Sequence, residues 1–197
     1  MQTKDWHADL SIKNERPDFA NVGCLEECSQ EQLEWLCSKQ QGFAGITRLS
    51  GDLCHWDRQY DSSLRTTPDV GQMRFDANGV HESGVLSTLY EYWERMPLSV
   101  GGTEFTVKGS ASPRTDTLLL VRGSYFMFMR ERPTASTTLL AIQRRITEAK
   151  ACRADLERFA DFEMSFGCID NSTWLVLHST LPWCEGLPLT LKSPAIS

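Results

Sequence analysis

The sequence has no apolar run approaching the ~20 residues that a membrane helix needs. Its longest apolar stretches, such as Thr117–Val121 and Trp174–Leu177, have the length of a strand. The first thirty residues carry Asp, Lys, Glu and Arg throughout and contain no apolar core of a secretory signal. The expected location is therefore the cytoplasm, with no membrane partner. Positive charge is in short supply: 20 basic against 26 acidic residues leave a formal charge of −6. A phosphate-backbone binder needs the opposite balance, so nucleic acid is not an expected partner. A small anion held by one or two buried arginines is compatible with it.

Signature loops are missing too. There is no glycine-rich phosphate loop, no dinucleotide fingerprint, no paired-histidine metal helix and no nucleophile elbow. Gly101-Gly102 lacks the lysine and the following helix that a phosphate loop requires. The four histidines, His7, His55, His81 and His178, are scattered. No metal and no cofactor is expected. The seven cysteines are odd in number and irregular in spacing. Cys24 and Cys28 stand close, but no second pair or neighbouring histidine completes a tetrad. Without a signal peptide, they read as free thiols packed as small hydrophobes.

What is there is an ordinary globular composition: 197 residues, 41% apolar and 23% charged, which is enough to bury one domain's core. Residues 1–28 are polar and interrupted by Pro17, and read as an N-terminal arm. Ser29 followed three residues later by Gln32 is a capping box, which predicts a helix from about 30 to 39. From Leu53 the period changes to two. Leu53–Asp61 places Cys54, Trp56, Arg58 and Tyr60 on one face. Val70–Asp76 is a further strand, and Asn78-Gly79 is a strong hairpin signal because both turn positions favour positive φ. Val80–Thr88 returns. Leu89–Met96 puts Glu91 and Trp93 on one face and Tyr90, Tyr92 and Glu94 on the other. Thr115–Arg130 is the longest strand-like segment, and Gly123 marks a bend that splits it. Thr137–Ile146 reads as strand in its first half, Glu148–Arg158 as one short helix, and Phe162–Ile169 and Trp174–Leu181 as strands.

Short strands with turn signals about every ten residues predict a mainly β protein. The expected fold is a single antiparallel barrel over residues 29–187, with a short N-terminal helix, one further helix and a tail from 188 to 197. A barrel interior of aromatic strands carrying a few ionisable groups is suited to a small apolar or aromatic ligand. A carboxylate facing that interior is desolvated and its pKa rises, which makes it a general acid or base near neutrality. An interior arginine stabilises developing negative charge. The candidate catalytic residues are Glu82, Glu91, Arg122 and His178; the candidate ligand-binding residues are Trp56, Arg58, Trp93 and Tyr125. The chemistry they suit is cofactor-free isomerisation, cyclisation or dehydration, such as an accessory enzyme of secondary metabolism performs. Whether copies pair as a homodimer is left open.

The Trp56-Asp57-Arg58 pattern on a first strand after a short helix and Gly51 resembles lipocalin-like, or calycin-like, barrels. More narrowly, His55-Trp56-Asp57-Arg58-Gln59-Tyr60-Asp61-Ser62, Pro68-Asp69-Val70-Gly71-Gln72-Met73, Glu82-Ser83-Gly84 and Tyr90-Glu91-Tyr92-Trp93-Glu94-Arg95 are similar to fungal two-barrel lipocalin-like proteins. The likeness spans about residues 43–130. It implies the barrel fold, matches Trp56, Glu82, Gly84, Glu91 and Trp93, and assigns none of them a catalytic role. This chain is long enough for one such barrel only. The alternative the likeness implies is a non-enzymatic interaction or scaffold protein, working through a surface patch.

Overall fold

A computed structural model describes residues 1–112 and 115–189; most of the expected C-terminal tail, 190–197, lies outside the described residues. The chain is mainly β. Its antiparallel strands form two sheets, one of which curls into a half-barrel, instead of one continuous closed ring. The first sheet is a meander of β1 (Trp6–Ile12), β2 (Gln40–Ser50), β3 (Leu53–Asp61), β4 (Val70–Phe75), β5 (Gly79–Gly84) and β6 (Tyr90–Glu94), in that spatial order. The second is β7 (Glu104–Ser112), β8 (Thr115–Arg122), β9 (Tyr125–Arg130), β10 (Glu163–Asp170) and β11 (Thr173–Ser179), ordered β11-β10-β9-β8-β7. Among the described residues no ladder joins β6 to β7 or closes the other edge. Nearest-neighbour pairing through short hairpins satisfies the backbone within each sheet without closure.

Residues 1–28 are more than an arm. Trp6–Ile12 is an edge strand paired residue for residue with β2, from Trp6 opposite Ile46 to Ile12 opposite Gln40. Its apolar positions, Trp6, Ala8 and Leu10, pack into the core between the sheets. That core joins Ala8, Ala44 and Tyr60 of the first sheet to Leu118, Leu120, Met127, Met129 and Met164 of the second. The two alanines let the backbones approach closely enough for methionine to fill the gap. The opposite face of the second sheet carries Leu119, Val121, Phe126, Phe128 and Val176, so β8 and β9 are buried on both sides. That explains their near-continuous apolar sequence.

Tyr60 does not share a face with Trp56 and Arg58. The register slips between Ala44 and Gly45, so that Gly45 faces Arg58 while Ala44 faces Tyr60. This bulge turns Tyr60 into the core, where its hydroxyl donates to Asp116 at 3.2 Å, and leaves Arg58 on the Trp56 face.

Three α-helices cap the molecule. α1 (Gln30–Ser38) starts with the expected box: Ser29 Oγ accepts from the Gln32 amide at 3.2 Å, and Gln32 Oε1 accepts from the Ser29 amide at 2.6 Å. α2 (Ser136–Thr147) replaces the expected strand, because Leu139 and Ile142 are three apart and bury one helical face with Phe159. α3 (Arg153–Ala160) begins five residues later than the helix expected at Glu148. Ala149 takes φ +54, which ends α2, and Asp155 at the third helical position bonds back to the Cys152 amide.

Candidate functional site

The pairings from β1 to β6 place His7, Asp9, Phe43, Thr47, Trp56, Arg58, Gly71, Glu82, Glu91 and Trp93 on one face of the first sheet, away from the core between the sheets. In a flat sheet β3 and β6 lie about 14 Å apart. The Trp56 and Trp93 rings are 5.8 Å apart, so the sheet curls with this face inside. Gly71 makes the curl fit: a Cβ there would lie 2.8 Å from Glu82 Cγ and 2.9 Å from the tip of Trp56.

Glu82 sits in this hollow with 3% of its surface exposed. It stands directly opposite Glu91 on β6. Among the described residues no donor and no cation bonds its carboxylate. Burial first, then the charges of Glu91, Asp69 and Asp9, push its pKa up to about 7. Trp93 Nε1 donates to Glu91 Oε2 at 2.9 Å, which fixes the indole and the second carboxylate together. Arg58 lies over the Phe43 ring at 4.3 Å and is held by Asp61 at 3.2 Å and by Asp69. Its charge is spent on these two carboxylates, so it frames the hollow instead of neutralising Glu82.

The arm strand contributes two groups that the sequence reading missed. His7 is buried, edge-on to Phe43, and burial lowers its pKa to about 4, with the N-terminal ammonium and Arg58 acting in the same direction. Thr47 Oγ1 donates to Gln2 Oε1 at 2.8 Å and therefore accepts from His7 Nδ1 at 3.2 Å. The neutral ring then carries its lone pair on Nε2, which is buried without a partner. Burial also raises Asp9, whose carboxyl lies within electrostatic reach of Glu91 and Asp69. The alternation Trp6-His7-Ala8-Asp9-Leu10-Ser11-Ile12 was the available signal.

Five of the eight candidate residues, Trp56, Arg58, Glu82, Glu91 and Trp93, thus come together. The other three belong to the second sheet. Arg122 pairs with Glu104 and stands opposite Tyr125, whose ring stacks on Phe166 at 5.7 Å. His178, opposite Phe166 on β11, lines a groove of about 360 Å³ with Met1, Asp9, Leu10, Ile12, Met127 and Phe166. Asp9 therefore borders both the groove and the hollow.

All seven cysteines are free thiols. Burial pushes Cys28 and Cys54 up to about 11 and Cys37 and Cys184 up to about 12, so these four are poor nucleophiles. Among the described residues no cluster of three or more His, Cys, Asp or Glu is placed to hold a metal ion, and no helix is long and apolar enough to cross a membrane. The chain matches no family model, no curated protein and no solved structure, so the likeness to lipocalin-like fungal proteins gains no support from them.

Proposed function

We propose that the hollow of the half-barrel binds a small apolar or aromatic molecule and moves a proton on it, in a cofactor-free isomerisation, cyclisation or dehydration. The observation that carries this reading is Glu82: a buried carboxyl without a hydrogen-bond donor, beside two indoles, at a pKa of about 7. Such a group exchanges its proton at neutral pH and costs the fold stability, as catalytic carboxyls do. Trp56 and Trp93 offer aromatic faces to the ligand, and Glu82 takes a proton from one position and returns it at another. Burial, with the neighbouring carboxylates of Glu91, Asp69 and Asp9 adding to it, keeps Glu82 basic.

Native mass spectrometry of the protein purified from its own source tests retention of a small molecule. The probe 2-naphthol, an aromatic carrying one hydroxyl donor, tests the site by calorimetry. Glu82→Gln is expected to weaken its binding about tenfold, through loss of a charged acceptor. Unchanged binding in Glu82→Gln combined with loss in His178→Ala would move the site to the groove and end this assignment.

A second reading is favoured by one observation. Among the described residues β6 and β7 are open edges, and Leu89, Tyr92, Trp93, Met96, Leu98 and Phe105 around them are exposed, Leu98 to 75%. An interaction protein would use such edges to add a partner's strand. Its mark is protection of the β6 and β7 amides from hydrogen exchange on partner binding, with Glu82→Gln without effect.

A further inference from the structure

The convex face of the same meander carries a second set of ionisable groups, independent of the hollow. Alternation along β5 sends Glu82 inward and its neighbour His81 outward. Three distances define the arrangement. The Tyr90 hydroxyl is 2.6 Å from His81 Nδ1, His81 Nε2 is 2.8 Å from Asp76 Oδ2, and the His81 ring lies 4.8 Å from the ring of Tyr92. Asp76 is anchored by the amides of Asn78 and Gly79, each at 2.8 Å to Oδ1. Those bonds, with His81, hold its carboxyl down at about 2.

With a neutral imidazole the chain of donors has one consistent direction. A carboxylate only accepts, so Nε2 carries the proton and donates to Asp76. Nδ1 of the neutral ring then holds the lone pair and accepts from the Tyr90 hydroxyl. Nucleophile, base and orienting carboxylate stand in line, the logic by which hydroxyl nucleophiles are activated. Arg74, directly opposite His81 on β4, brings a guanidinium to the same face and makes no ion pair among the described residues. Tyr90 is 61% exposed, so an electrophile can reach it. The other tyrosines are worse placed. Tyr60 is buried and its pKa pushed up to about 12, Tyr92 donates to Asp76 instead of a base, and Tyr125 stacks on Phe166.

We propose that Tyr90 is a nucleophile activated by His81, with Asp76 as positioning residue, and that it accepts acyl groups from activated esters or thioesters. The phenol proton passes to His81 Nδ1. The phenolate oxygen bonds the acyl carbon, the bond from that carbon to the aryl-oxygen or thiol leaving group breaks, and the leaving group departs with the electron pair. The imidazolium then gives its proton to that group or to water. Arg74 stabilises the charge on the carbonyl oxygen during attack.

The test uses the full chain with p-nitrophenyl acetate, following nitrophenolate release and locating acetyl groups by peptide mass spectrometry. Tyr90 is expected to acetylate at least about tenfold faster than Tyr92 and Tyr125. His81→Gln should remove that advantage, and Tyr90→Phe should leave no acetyl group on that peptide. Asp76→Asn keeps an acceptor for the two turn amides but no carboxylate for Nε2, and should slow Tyr90 with the melting temperature unchanged. Equal acetylation of the three tyrosines, or a Tyr90 rate indifferent to His81→Gln in a folded variant, overturns the proposal. Neither result bears on Glu82, which faces the other side of the strand.

Discussion

Glu82 makes a prediction that needs no ligand. A carboxyl raised from 4.5 to about 7 keeps its proton in the folded chain and loses it in the unfolded one between those values. The folded state then binds more protons, so this group's contribution to stability is fully present below about pH 4.5 and is lost as pH rises to about 7. At pH 8 the ionised carboxylate costs on the order of 3 kcal/mol relative to a neutral group. Glu82→Gln, an uncharged isostere, should therefore raise stability at pH 8 by about that amount and change it little at pH 4.5. His7 has the opposite sign: lowered to about 4, it removes stability as pH falls from about 6.5. The two offset one another in the wild-type curve between pH 5 and 6. Urea titrations of both proteins across pH 4.5–8 isolate the Glu82 effect as their difference. A difference that does not vary with pH would show that the carboxylate is solvated.

At the scale of elements, three hairpins turn on left-handed residues, β2–β3 at Gly51, β8–β9 at Gly123 and β10–β11 at Asn171 and Ser172, and the Asn78-Gly79 turn that composition favours is not among them. The Asp76–Gly79 turn keeps Asn78 and Gly79 out of the left-handed region, because the Asp76 side chain supplies the turn's hydrogen bonds. The positive-φ pair occurs instead at Asn171 and Ser172, with φ +45 and +72, between β10 and β11. Ser172→Gly should relieve left-handed strain and stabilise by about 0.5–1 kcal/mol. Gly123 is the converse case. It opens the β8–β9 turn at φ +59, and a Cβ would run into the Leu98 carbonyl. Gly123→Ala should cost more than about 2 kcal/mol. Thermal melts of the two variants, moving in opposite directions, check the pair. Gly123 was legible as a break because an isolated glycine in an apolar strand has few other meanings. So were β3 and the Ser29–Gln32 cap, where period and cap residues agree. Thr137–Ile146 was not, since β-branched residues and leucines fit either a strand or one face of a helix until a partner such as Phe159 decides. The carboxylate and indole faces of β5 and β6 followed from alternation alone. The bulge that separates Arg58 from Tyr60 leaves no trace in composition, so Tyr60 alone of that face was misassigned.

For the whole molecule, the question is what fastens two sheets that share no ladder among the described residues. Much of the answer is apolar: Phe162, just before β10, and Met164 within it share one core cluster with Ala8 and Ala44 across the gap. Polar contacts cross the gap as well, Tyr60 to Asp116 among them, and the one that also reaches a helix is Arg132, 2% exposed, just beyond β9. Its Nε donates to the Phe159 carbonyl at the end of α3 at 2.7 Å, and its Nη2 to the Ser62 carbonyl after β3 at 2.6 Å. The guanidinium lies over the rings of Phe159 at 4.6 Å and Phe162 at 5.1 Å. One side chain thus binds the first sheet, the second sheet and a helix. Lysine at this position keeps the buried charge but cannot span two carbonyls in a plane, so Arg132→Lys should lose about 2–4 kcal/mol. Methionine also abandons both carbonyls, but it removes a cation whose nearest carboxylate, on Glu131, is 3.8 Å away. The relief of that desolvation offsets part of the loss, and Arg132→Met should be destabilised about half as much. Urea unfolding at pH 7 ranks the three proteins, with an unchanged m-value showing that the sheets still unfold together. A lysine variant as stable as the wild type would mean that the fork of hydrogen bonds contributes nothing to holding the sheets face to face.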